Sequence, residues 1–557
     1  TPVAVAVDRS NNTDSCLVLV LLLAAWALMK ACRQGRRSWL ILSLALIGLG
    51  FNVKMMAAFV VLPTFILFYL LGTPIPLRRR ILDLTLGGLV LTILSLAWVV
   101  FYDLTPPERR PYVGSTNGNS MFELSVGHNA LGRFIRRDRV SSYSGVQNPN
   151  EVQEQQRRRA LARDPKIAER WAKIFVKVPV GPLRLADRQM AGQMAWLFPL
   201  ALLGPALAWR RSPWTIPLSG KHQLLILWAG WALTFGIVYS FAGGIFHFYY
   251  LTTLGPPLAA LAGIGLVSLW TGYLEKQRAW LLPLALVLTV AWQLYIHAPY
   301  LPWNLEMSDG IGPWISRLFF MMSLGAALSI IGLILFMARS KIFGGALLFS
   351  KVLMVLGVCA LLVFPGAWVM SSVLARDVAM LPSADFSRLM RVPDPPESQT
   401  ANRAERRSRF RKLLVFLKTH HAGERFLLAT SSARLAAPII VRTGDAVMAM
   451  GGFHGLDPIL TPTTLEEMVR EKKVRFVMLN DFTVSSRLMG AERAEKPLAD
   501  WVREKGRPVD PSLWGLSSQE REDQMNRPRG LGEGPAPRPA GYGTMQLYDL
   551  NPSLGAG

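Results

Sequence analysis

Residues 16–32 read CLVLVLLLAAWALMKAC, and the one charge in the run is Lys30. As an α-helix rising about 1.5 Å per residue, such a run covers most of a hydrocarbon core of about 30 Å. Comparable blocks recur at residues 38–53, 55–72, 81–102, 192–209, 223–241, 251–271, 280–297, 318–338 and 348–374. They stop near Ala375, where a mixed polar and apolar sequence begins. The pattern predicts a polytopic α-helical membrane region of about ten spans over residues 1–375, interrupted by a large loop at 103–191. A soluble α/β domain is expected over 376–557.

The segments between blocks alternate in charge. One set carries Lys30, Arg33, Arg36 and Arg37, then Arg78, Arg79 and Arg80, then Arg210, Arg211 and Lys221, then Lys276 and Arg278, and last Arg339 and Lys341. The other set, notably residues 243–250 and 298–314, is poor in Lys and Arg. Cytoplasmic loops collect Lys and Arg, so the first set is assigned to the cytoplasm. Alternation then requires an outer break at residues 51–55. Gly50, Asn52 and Lys54 fit one, because an apolar helix does not keep Asn and Lys in lipid without cause. Residues 1–14, the loop 103–191 and the whole tail fall outside. The loop's excess of 14 Lys/Arg over 6 Asp/Glu at 131–188 does not oppose this, since long loops cross largely regardless of charge. The net charge of +24 is read in the same way, without a nucleic-acid partner. Cys16, Cys32 and Cys359 all lie in apolar spans and read as small buried hydrophobes, not as a disulfide framework or metal site.

Polar residues crowd the outer side. Asp8 to Asp14 form one run, in which Asp14 also suits a helix N-cap. Residues 106–133 hold Arg110, Tyr112, His128 and Asn129, and read as an irregular surface loop or as a sugar or phosphate site. His247, Phe248, Tyr249 and Tyr250 read as an interfacial aromatic belt or as the lining of a pocket. In the tail, residues 425–429, 474–479 and 544–550 read as strands, and 464–472 as a helix with Thr461 or Thr463 near its cap. Residues 451–458 form a glycine-rich turn without a nucleotide-binding spacing. Residues 504–541 are rich in Pro, Gly, Arg and Glu, and read as a long loop or disordered stretch.

Taken in order, residues 6–14, 50–55, 110–115, 127–133, 183–185 with 191–193, 247–251 and 451–453 resemble the bacterial branch of glycosyltransferase family 39. These are the protein-mannosyltransferase and aminoarabinose-transferase-like enzymes of the GT-C class. The resemblance implies transfer of a sugar from a polyprenyl-phosphate-linked donor to a lipid, a cell-envelope polymer or a protein, on the outer face of the bacterial inner membrane. It also implies about thirteen helices. Three upstream helices are therefore expected, and with them the outer loop that carries the family's principal catalytic Asp. Among the residues here, Lys54, Arg9, Arg110 and Arg184 are the candidate cations for the donor phosphate, and Asp14 and Asp8 the candidate carboxylates. Asn12, Asn52, Tyr112, His128, Asn129, Gln193, His247, Tyr249 and Tyr250 are the candidate pocket residues. A divalent metal suits the chemistry, but no His/Asp cluster has ligand spacing. A lipid or polysaccharide transporter or flippase would favour ionisable residues or broken helices near the midplane and repeated halves, whereas the spans here are nearly free of charge, the polar groups sit at one outer surface and no internal repeat is visible. A noncatalytic receptor using the tail is the other alternative.

Overall fold

The computed structural model describes residues 1–114, 116, 118–131, 178–210, 214–243, 246–298, 312–339, 346–374, 382–384, 396–453, 455, 457–480, 496–515 and 545–551. They fall into two compact units. The first holds Thr1–Leu104, 125–131, 178–374 and 382–384; the second holds Thr105–Leu124 and 396–551. The start of the long loop thus belongs with the tail.

The first unit is helical: α1 Pro2–Asp8, α2 Asp14–Gln34, α3 Arg37–Lys54, α4 Leu62–Gly72, α5 Leu77–Leu104, α6 Arg188–Met194, α7 Phe198–Arg210, α8 Gly220–Phe241, α9 Gly255–Leu274, α10 Leu281–His297, α11 Gly312–Arg339 and α12 Ala346–Leu374. Among the described residues, seven stretches are long and apolar enough to cross a membrane. One of them, the 36 residues Arg37–Gly72, is too long for a single pass at about 1.5 Å per residue. Its contacts show a reversal. Lys54, at the end of α3, meets Asp14 at the start of α2. Thr73, just past α4, meets Cys32 near the end of α2, with Sγ and Oγ1 3.2 Å apart. The chain therefore goes up α3 and back down α4. It turns where Lys54 leaves helical geometry (φ −150°) and Met55 takes φ +45°. The broken pair α6/α7, bent by 67°, and the shorter α10 are the other apolar segments that the sequence reads as spans.

Burial along α2 follows the helical period. Leu17, Leu21 and Leu28 are buried, whereas Leu19, Leu23 and Trp26 are exposed, as a lipid-facing stripe would be. Close packing depends on small residues, as is usual between membrane helices. A Cβ on Gly204 of α7 would lie 1.8 Å from the Cα of Gly265 on α9, so these backbones touch. Buried polar side chains serve as interhelical ties. Ser43 donates to the Ala24 carbonyl at 2.8 Å, and Gln293 donates to that of Leu361 at 2.8 Å. At the end of the bundle that holds Cys32 and Thr73, Arg37 pairs with the fully buried Asp83, which also accepts from Tyr69 Oη at 3.2 Å.

The second unit is α/β: α13 Pro396–Thr419, β1 Leu428–Thr430, α14 Ala433–Thr443, β2 Val447–Ala449, α15 Pro462–Arg470, β3 Phe476–Asn480, α16 Lys496–Lys505, β4 Arg507–Pro508 and β5 Met545–Asp549. The sheet order is β2-β1-β3-β5-β4; β1 runs parallel to β2 and β3, and β5 antiparallel to β3 and β4. Thr461 caps α15, its side chain accepting from the Thr464 N–H. Part of the segment read as a long loop is built instead. Arg507–Pro508 is an edge strand, and Pro511–Trp514 forms a helical turn because Trp514 buries itself in the core with Leu413, Leu428 and Leu547.

Candidate active site

In the first unit Asp14 and Lys54, 40 residues apart in sequence, form a buried ion pair. Asp14 is 1% exposed and the Lys54 side chain 17%. The local sequence explains how the carboxylate is freed for this contact. Asn12 Oδ1 accepts the Asp14 N–H at 2.9 Å, so Asn12 supplies the turn and Asp14 is not used as a cap. The position of Asp14 in the first turn of α2 favours its negative charge. On the other side, the break after α3 swings Lys54 out of the helix.

Two aromatic rings enclose the ammonium. Lys54 Nζ lies 4.8 Å from the Tyr249 ring centroid and 4.7 Å from that of Tyr250. The 3₁₀ segment Phe248–Leu254 presents both rings, which meet edge to face at 4.7 Å. His247 stacks on Tyr249 at 5.4 Å and sets its edge against Tyr250 at 5.6 Å. Behind them, Tyr239 Oη and Thr253 Oγ1 are 2.8 Å apart. The structure thus brings together Asp14, Lys54, His247, Tyr249 and Tyr250.

The other candidate residues of this unit hold nearby backbone. Arg184, 8% exposed, donates from Nη1 to the carbonyls of Tyr239 (2.9 Å) and Ala242 (2.7 Å) at the end of α8, and its guanidinium stacks 4.3 Å from the Phe246 ring. Burial pulls its pKa below the ordinary value, but an arginine stays charged regardless. It fixes the segment that carries His247 and the tyrosines. Arg9 donates to the Ser372 carbonyl, and Asp8 accepts from Ser15. Asn52 ties α3 to α5 through the Leu94 carbonyl at 2.9 Å. Gln193 exchanges a reciprocal pair of hydrogen bonds with the Ala384 backbone. The side chains of His128 and Asn129 lie outside the described residues. Among the described residues, no group of three or more His, Cys, Asp or Glu could hold a metal ion.

Arg110 and Tyr112 belong to the second unit. Tyr112 Oη donates to the Thr116 carbonyl at 2.5 Å, and burial pushes its phenol above the ordinary range. The adjoining Gly114 packs against the glycine-rich turn. A Cβ there would lie 2.9 Å from Asp457 Oδ2, and one on Gly452 (φ +68°) would lie 2.1 Å from the same oxygen. Two motifs separated by more than three hundred residues are thus joined through Asp457, a residue that the sequence reading did not single out. Its signal was its place in the turn Gly451–Asp457, but the partner segment was beyond reach of local pattern.

A bundle of apolar helices with a buried charged pair and aromatic rings at one end, joined to an α/β tail, defines a multi-pass membrane glycosyltransferase once set beside known proteins. Residues 1–98 match the family described as dolichyl-phosphate-mannose-protein mannosyltransferase, and residues 413–505 that described as "Putative mannosyltransferase YkcB-like, C-terminal". Two Bacillus subtilis proteins are similar over nearly the whole chain. "Putative mannosyltransferase YycA" is 31% identical, covering 96% of this chain and 80% of that protein. "Putative mannosyltransferase YkcB" is 30% identical, covering 94% and 77%. The chain belongs to this mannosyltransferase-like family of membrane glycosyltransferases. No solved structure matches it.

Proposed function

We propose that the chain moves a sugar from a polyprenyl-phosphate-linked donor to a lipid, cell-envelope polymer or protein acceptor, at the outer face of a bacterial inner membrane. The observation that carries this reading is the Asp14–Lys54 pair, enclosed by Tyr249 and Tyr250. It lies at the end of α2–α5 opposite Arg37, Asp83 and the basic turn before α5, and such basic turns are typical of the cytoplasmic side. This supports an outer site.

In the reaction, the bond from the anomeric carbon to the phosphate oxygen breaks, and its electron pair stays with the phosphate. A new bond forms from the anomeric carbon to the acceptor oxygen, whose proton passes to a carboxylate. Lys54 offsets the charge that grows on the leaving phosphate. Asp14 keeps the ammonium in place before the donor arrives. A phosphate that takes over Lys54 frees the Asp14 carboxylate to orient or deprotonate the acceptor hydroxyl. His247 and the tyrosines shape the donor side. Arg184, Arg9 and Asn52 act as positioning residues.

The test is transfer from a radiolabelled polyprenyl-phosphate sugar by the full chain in vesicles, comparing wild type with Lys54→Ala, Lys54→Arg and Asp14→Asn. Loss of one such preorganised contact costs about 10²–10³ in rate, and that loss is expected for Lys54→Ala. Equal transfer by Lys54→Ala and wild type removes Lys54 from the site.

A further inference from the structure

The sheet of the second unit separates two helical layers that differ in charge. Alternate residues of a strand face opposite sides of a sheet. Leu428 and Phe476 pack with Leu417 of α13 and Ile439 of α14, whereas Ala429 and Val477 pack with Leu465 of α15 and Val502 of α16. By sequence, α13 and α14 together carry nine Lys/Arg against two Asp/Glu, a net of +7. On the other face, α15 and α16 carry four of each. Both layers give the sheet the same kind of apolar inner surface, so packing does not account for the difference outside.

The basic layer also exposes aliphatic side chains. Val441 on α14 is 84% exposed, Val415 on α13 59% and Ile440 40%. Arg411, Lys412, Arg434 and Arg442 on the same two helices are exposed as well. Two contacts join the helices into one surface. The Arg442 guanidinium lies 4.5 Å from the Phe410 ring, and Lys418 Nζ lies 2.9 Å from Asp445 Oδ2, which offsets the carboxylate that follows α14. Aliphatic groups among cations suit a lipid surface, where the charges meet headgroup phosphates and the apolar groups enter the headgroup–acyl boundary. A nucleic acid offers phosphates to such cations but little to exposed valine and isoleucine.

Connectivity holds this unit within reach of a bilayer. The apolar helix α5 ends at Leu104, and the second unit begins at Thr105. Ten residues after Leu104, Gly114 already packs on Asp457. A stretch of that length spans at most about 36 Å.

We infer that the α13–α14 face docks on an anionic phospholipid surface, with Arg411, Lys412, Arg434 and Arg442 on headgroup phosphates and Ile440 and Val441 inserted between them. Docking depends neither on the sugar chemistry at Lys54 nor on which side of the membrane carries the tail.

The experiment is hydrogen exchange of the full chain in nanodiscs of pure phosphatidylcholine or of an equal mixture with phosphatidylglycerol. Each cation near an anionic surface is worth about fivefold in binding, so amides of residues 407–418 and 434–443 are expected to exchange at least about tenfold more slowly on the mixed discs. High salt is expected to remove the difference, because it screens the headgroup attraction. The variant Val441→Glu/Arg434→Gln is expected to abolish the protection while β1 and β3 exchange as in wild type, since both side chains are exposed. Arg411→Gln/Lys412→Gln, also at exposed positions, takes its place if the first variant speeds exchange throughout the tail. Equal exchange on the two kinds of disc overturns the inference, and so does protection that persists in either folded variant. Soluble polyphosphate that protects the same residues equally well on pure phosphatidylcholine discs overturns it too, because the face then reads an acidic polymer and not a bilayer.

Discussion

Replacing Lys54 with methionine keeps the length of the side chain and removes its charge. Asp14, 1% exposed, is then left as a buried carboxylate without its cation. Breaking a buried pair in this way costs about 3–5 kcal/mol, and the loss of two ring contacts to the ammonium adds about 0.5–2 kcal/mol each. Against a total stability of about 5–15 kcal/mol this is a large fraction. Asp14→Asn alone leaves Lys54 facing a neutral amide and is expected to cost less, because the ammonium is 17% exposed and keeps its tyrosines. The double variant should recover about 1–3 kcal/mol relative to the sum of the single changes. Denaturant titration of the full chain in mixed micelles, followed by circular dichroism, measures all four proteins. Additivity within about 0.5 kcal/mol would refute the pairing as an energetic unit, and with it the idea that Asp14 holds Lys54 ready for a phosphate.

Arg184→Lys keeps the charge but cannot reproduce the two-carbonyl contact and the stacking on Phe246, so lower transfer with a stability loss of about 1–2 kcal/mol is expected. In the tail, Arg475 grips Asp549 across β3 and β5, with Nε–Oδ1 at 3.0 Å and Nη2–Oδ2 at 2.8 Å; Asp549→Asn should lower tail stability by about 2 kcal/mol, read by hydrogen exchange. Gly452→Ala combines a left-handed φ with a clash against Asp457, and should loosen both the turn and residues 110–114, seen as faster proteolysis there. The hydrogen bond from Lys418 holds the Asp445 carboxyl below its usual range. Its contribution is present above the unfolded carboxylate pKa and lost as pH falls through the folded one, and both side chains are exposed enough to keep it under about 1 kcal/mol. Hydrogen exchange near α13 at pH 7 and pH 3 checks this.

The spans were legible because lipid demands apolar blocks, and the break at Lys54 because a lone cation in such a block needs a reason. The partner of Lys54 was not legible. Asp14 and Asp8 looked equally available, and only the packing of α2 on α3 separates them. Arg184 and Asn52 read as open polar groups, yet they meet backbone carbonyls supplied by distant helices, which no local pattern announces. In the tail, β3 and β5 showed through their apolar runs. The three-residue β2 is too short for any periodicity, and α13 is masked by its many charges. The attachment of Thr105–Leu124 to the tail depends on Gly114 meeting Asp457, a long-range fit that composition cannot carry.

The turn between α3 and α4 is the seven-residue 3₁₀ helix Met55–Val61, with no irregular loop. On the proposed orientation, Arg37–Gly72 enters the bilayer as one hairpin, its tip carrying an ammonium to the outer side. An unescorted lysine makes that passage expensive. Asp14 precedes the hairpin in the chain and is synthesised first, so the counter-charge is already waiting at the side where the tip arrives. The same pair proposed to ready a phosphate site can thus act during biogenesis as a catch that locks the hairpin after insertion. Substitutions at Asp14 would then show first as hairpins that fail to stay inserted, before any effect on sugar transfer can be measured.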